Sequence, residues 1–123
     1  MENCLSINPN INVVFTANET SGVGAVQALK ASGVKNALVV SIDGSCRGVK
    51  AVVDGDFGAV AQQYPSAMGR QGVKAVIDHI RHGIDPAPPK GTDFVNTGIT
   101  LVTDKPVSGL SSIDSKKGTE LCW

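Results

Sequence analysis

Three short, nearly continuous apolar runs, each followed by a stretch of different periodicity, constrain this chain more than any other feature of its sequence. Residues 11–17 read I-N-V-V-F-T-A behind the turn cluster Asn8-Pro9-Asn10, Ala37 to Ile42 forms a second run, and Phe57 to Ala61 a third. Strands of this kind, apolar on both sides, belong to parallel sheets whose faces are covered by helices. Between the first two runs, Val23, Ala25, Val26, Ala28 and Leu29 recur at helical spacing over Thr20 to Ser32, with Gly33 where a C-cap belongs. The turn Asp43-Gly44-Ser45 leads into a shorter helix around Gly48 to Val53, ended by Asp54-Gly55. Strand, helix, strand, helix, strand predicts a doubly wound α/β fold with right-handed crossovers.

Pro65 stands at a natural first helical position, and Met68, Val73, Val76, Ile77 and Ile80 mark one face of a helix up to His82-Gly83. The following Asp85-Pro86-Ala87-Pro88-Pro89-Lys90-Gly91 cannot continue it, because proline removes a donor and fixes φ. Phe94 to Thr103 reads as a long strand interrupted at Gly98, and Ser115 to Trp123 as a short helix begun by a Ser or Asp cap.

A chain of 123 residues allows about one domain. Eleven basic residues balance eleven acidic ones, so no basic field gathers phosphates and nucleic acid is not an expected partner. Apolar runs such as Ala37-Leu38-Val39-Val40 fall far short of the ~20 residues of a membrane-spanning helix, and a soluble chain is expected. Met1-Glu2-Asn3-Cys4 shows no basic and apolar leader, so an export signal, if the protein has one, is expected to be removed or upstream. Cys4, Cys46 and Cys122 permit at most one internal disulfide, and three reduced thiols fit the count equally.

In an open parallel sheet ligands bind beyond the carboxyl ends of the strands, where loops diverge and helix N-termini expose unpaired N–H groups. Asn18 follows the first strand, Asp43 the second, and Gln62-Gln63 the third. Planar carboxylate and amide groups can each bond two neighbouring hydroxyl oxygens. Asn and Asp after a strand are also ordinary turn formers and helix caps. Other motifs carry less. Ser21-Gly22-Val23-Gly24 lacks the third glycine of a dinucleotide fingerprint, and its glycines read as close helix-to-sheet packing. Ser45-Cys46-Arg47 at a helix start has no histidine nearby and no nucleophile-elbow context. His79 and His82 beside Asp78 lack a third placed ligand, so neither a metal nor a cofactor is expected.

With these residues in view, Asn8 to Glu19 (NPNINVVFTANE) is similar to the "hPxhxAVFaxND" segment of ribose-binding-type periplasmic sugar-binding proteins. Val39-Val40-Ser41-Ile42-Asp43-Gly44 resembles their "VVGFDG", and Ala61-Gln62-Gln63-Tyr64-Pro65 their "IAQLP". The likeness runs from Met1 to about Val107, and Cys46 with the Leu121-Cys122-Trp123 end resembles the fructose-type subgroup. Glu19 stands in place of the usual Asp, and Ile42 where some members carry Phe.

The resemblance implies a three-layer α/β fold, a parallel sheet with helices on both faces, of which this chain is a partial lobe. Residues 1–63 would be a C-terminal lobe portion, 64–97 would pack on the missing N-terminal lobe, and 98–123 would return to the C-terminal lobe. It also implies that Asn18, Asp43 and Gln63 hydrogen-bond a monosaccharide such as fructose or ribose in an interlobe cleft, without catalysis. The chain would be the periplasmic substrate-binding component, or a fragment of it, of an ABC-type sugar importer, delivering sugar to a permease. The pairing implied is Cys4 with Cys122, leaving Cys46 near the cleft mouth. The uncovered helix 64–94 would favour self-association or protrude. Two other readings compete: the effector-binding part of a lactose-repressor-type transcription regulator, and a small α/β enzyme, for which no nucleophile and base pair is apparent.

Overall fold

A computed structural model describes all 123 residues. The elements are α1 (Glu2–Ile7), β1 (Val13–Phe15), α2 (Glu19–Ala31), β2 (Leu38–Asp43), α3 (Cys46–Val53), β3 (Ala59–Gln63), α4 (Pro65–His82), β4 (Ile99–Val102) and α5 (Ser115–Leu121). The chain divides into two compact units, one formed by Met1–Gln62 with Thr100–Trp123, the other by Gln63–Ile99.

The first unit is the expected α/β plan. The four strands lie in the order β1-β2-β3-β4, with β1 parallel to β2 and β2 parallel to β3. The pleat sorts β2 by alternation: Val39 and Ser41 are buried, while Leu38 is exposed. Ser41 pairs with the fully buried Val60, so these side chains share one face. Onto that face pack Leu5 of α1, Val26 and Leu29 of α2, Val49 and Val52 of α3, together with Phe57 and Val102. Burying side chains of this size contributes about 1.5 to 3 kcal/mol each, against the entropy of ordering them.

The other face carries Phe15, Leu38, Val40, Ile42, Ala59 and Ala61, partly roofed by Val107 and Leu110 over a groove of about 550 Å³. Helices of this unit thus cover one side of the sheet, where helices on both faces were expected: with the strands in sequence order, right-handed crossovers put α2 and α3 on the same side.

Local signals place the helix ends. Asn18 caps α2 by accepting from the Ser21 N–H, Ser45 caps α3, and Asp114 caps α5 by accepting from the Lys117 N–H. Helix α1 had no sequence signal of its own; only Leu5 on it is buried.

The second unit consists of α4 and the segment after it. Pro65 opens the helix and Gly83, at φ 66°, closes it in the left-handed conformation, as the sequence predicts. No α4 side chain is buried; Val73 and Ile80 stay 62 % and 75 % exposed. Residues 84–97 fold back along α4 over a cavity of about 430 Å³ lined by Met68, Gly72, Ala75, Ile84 and Val95 among others. His79 is engaged with Asp85, Nδ1 to Oδ1 at 2.7 Å.

Two further expectations are corrected. The long strand from Phe94 shrinks to Ile99–Val102, because the backbone before it is turned by local bonds: Asn96 Oδ1 accepts from the Gly98 N–H at 2.8 Å, with Gly98 at φ 97°. The disulfide joins Cys46 to Cys122, with Cα atoms 4.8 Å apart, and Cys4 is free and exposed. The reason lies in packing: α3 and α5 are neighbours, and the Cys46 N–H donates to the Trp123 carbonyl at 3.1 Å, whereas α1 packs beside α2.

Closing a loop between residues 76 positions apart, this bond should stabilise the fold by about 2 to 4 kcal/mol, mainly by restricting the unfolded chain. Cys46→Ala should lower the denaturation midpoint accordingly while Cys4→Ala leaves it within about 0.5 kcal/mol. Urea titrations of both variants check this, and equal loss in both would contradict the pairing.

Candidate functional site

The parallel register sets the carboxyl ends of the first strands along one rim. β1 ends three residues before Asn18, and β2 ends on Asp43, which pairs with Gln62 of β3. The structure brings Asn18 and Asp43 together: Asp43 Oδ2 lies 3.5 Å from the N–H of Glu19, the residue after Asn18.

Asn18 is exposed, and its Oδ1 accepts from the Ser21 N–H at 2.9 Å. The cap uses Oδ1 and does not require the Nδ2 group of the same side chain. Asp43 is half-buried and sits at φ 116°, alone among non-glycine residues in having positive φ. Such backbone costs of order 1 to 3 kcal/mol and persists where surrounding structure dictates it, commonly at functional sites. Gly44 follows at φ 69°, and a Cβ there would lie 2.4 Å from the Gln62 Cα, so only glycine fits.

The strand-end argument left Gln62 and Gln63 equivalent; burial separates them. Gln62 is fully buried, its Nε2 donating to the carbonyls of Gly44 and Gly118, each at 3.0 Å. Gln63 is half-buried, ends β3 and begins the second unit. Pleat alternation, which turns successive residues to opposite faces, is the signal that could have told them apart.

Glu19 was missed as a structural element. It is 8 % exposed, its Oε2 has no partner, and it lies against α3 where a Cβ on Gly48 would come within 1.7 Å of that oxygen. No helix is long and apolar enough to cross a membrane.

The first unit is thus an α/β fold with planar polar side chains at the ends of its parallel strands. The chain matches the periplasmic binding protein domain over residues 1–84, and it belongs to that family. It is 37 % identical over 83 residues to the ribose import binding protein of Salmonella typhimurium, covering 68 % of this chain and 28 % of that protein. It is 35 % identical over 102 residues to the D-allose-binding periplasmic protein of Escherichia coli, covering 82 % of this chain and 33 % of that one. Among solved structures, a galactofuranose binding protein superposes with a TM-score of 0.73 at 26 % identity, over 97 % of this chain and 38 % of that one. The chain thus spans about a third of the length of the relatives it matches. These relatives are binding proteins.

If Asn18 serves α2 as its cap, Asn18→Ala should destabilise the first unit by about 1 kcal/mol, and Asn18→Asp by much less. Thermal unfolding followed by circular dichroism checks the pair; equal losses would deny the capping bond.

Proposed function

We propose that this chain carries one half of a monosaccharide-binding site of an ABC-type sugar importer's periplasmic binding component, with Asn18, Asp43 and Gln63 as the sugar-contacting side chains. The observation that carries the reading is the Asn18–Asp43 pair on adjacent strand ends, with Asp43 held at a costly positive φ beside the N-terminus of α2. A carboxylate there offers two acceptors to vicinal hydroxyls, and an amide offers donors.

Support for a sugar comes from the relatives, named for ribose and D-allose. The other wall would come from a second lobe, against which residues 64–97 pack; the exposed apolar side of α4, Val73, Val76, Ile77 and Ile80, is suited to such burial or to self-association. The permease would receive the closed complex. No step of chemistry is required of the chain.

A half-site leaves most of a sugar's surface in water, so this chain alone should bind D-ribose or D-fructose only weakly, with a Kd in the millimolar range. In a protein completed with the second lobe, Asp43→Ala should cost the most of the three site changes, about 1.5 to 3 kcal/mol for each charge-assisted bond lost. Calorimetry on the completed protein checks this; unchanged affinity would reduce Asp43 to a turn residue.

A further inference from the structure

Gln62 is the most deeply buried polar side chain of the fold, with no exposed surface. Both Nε2 protons are used, one on the Gly44 carbonyl and one on the Gly118 carbonyl, partners 18 and 56 residues away in sequence. Its orientation is fixed by chemistry, because turning the amide over would set Oε1 against two carbonyl oxygens. Oε1 itself has no partner, so the residue is held there at a cost that a purely space-filling role would avoid.

What the two bonds restrain is the turn that carries Asp43. Asp43 and Gly44 take successive positive φ values, 116° and 69°, and the Gly44 carbonyl is fastened to a side chain rather than to another strand. The second bond ties the same side chain to α5, through Gly118, one of its helical residues. A covalent link, Cys46–Cys122, joins the same two stretches of chain just beyond the turn and just beyond α5.

We propose that Gln62 is a positioning residue for Asp43: its buried carboxamide clamps the Asp43–Gly44 turn to α5 and so holds the Asp43 carboxylate in the attitude a ligand meets. The proposal rests on reading Asp43 as a sugar ligand, and it makes α5, distant in sequence from the strand ends, part of what shapes the site.

The test is by nuclear magnetic resonance on the 123-residue chain, with D-ribose and D-fructose as probes. In the parent, the Gln62 carboxamide protons should exchange with solvent at least about tenfold more slowly than those of the exposed Gln27, and Asp43 should show the coupling and carbon shifts of positive φ. Gln62→Met keeps the volume without donors, and Gln62→Glu keeps the shape without donors once ionised. Either variant that folds should keep the parent shifts in α2 while Asp43 loses its positive-φ signature and its sugar-induced shifts fall several-fold. Carboxamide protons exchanging as fast as those of Gln27, or an Asp43 signature unchanged in a folded variant, would overturn the proposal. If the variants displace Asp43 while neither sugar perturbs the parent at Asp43, the clamp stands and the sugar reading falls. If sugars perturb parent and variant alike with Asp43 in place, the clamp falls and the sugar reading stands.

Discussion

The parallel pairing of β1, β2 and β3 is the constraint on which the rest of the first unit depends. Register Phe15 to Val40, Val40 to Ala59 and Asp43 to Gln62 brings successive strand ends to the same rim, so that residues far apart in sequence become neighbours. Parallel strands need long crossovers, and here these are α2 and α3, whose starts at Asn18 and Ser45 lie on that rim. One geometric fact therefore supplies both the candidate ligand groups and the helix N-termini beside them.

Burial is sharply one-sided. Val39, Val60, Val102 and Phe57 are almost wholly enclosed under the helices, while Phe15 and Leu38 on the opposite face remain 66 % and 48 % exposed. The polar groups in the enclosed layer are placed rather than scattered. Ser41 accepts from the Thr16 hydroxyl at 2.9 Å, joining β2 to the segment just after β1, and Gln62 joins β3 to the Asp43–Gly44 turn and α5. Buried hydrogen bonds of this kind add little net stability but penalise alternative registers, which is how a small sheet keeps its strand ends aligned.

Much of this was legible in the sequence because the signals are local. Periodicity marks α2 and α4, Pro65 and Gly83 bound the longest helix, and apolar runs mark the three parallel strands. The candidate site was legible for a related reason: a strand end followed by Asn or Asp is a short-range pattern, and the Asn18–Asp43 juxtaposition follows from register. What was not legible depends on tertiary contact. Cys46 pairs with Cys122 because α3 packs on α5, and no spacing rule reports that. Phe94 to Gly98 has strand-like composition, yet Asn96 folds the backbone onto Gly98 before a ladder can form. The difference in burial between Gln62 and its neighbour Gln63 is a matter of one pleat, invisible to a reading that counts only residue types.

The central claim is that the strand-end rim, and not the apolar groove on the open sheet face, is the ligand-facing surface. The direct measurement is a residue-resolved map of amide shift changes as D-fructose or D-ribose is raised through the millimolar range. The account expects saturable changes confined to the residues around Asn18, Asp43 and Gln63. Changes centred instead on Phe15, Leu38, Val107 and Leu110, or none at any residue, would contradict it.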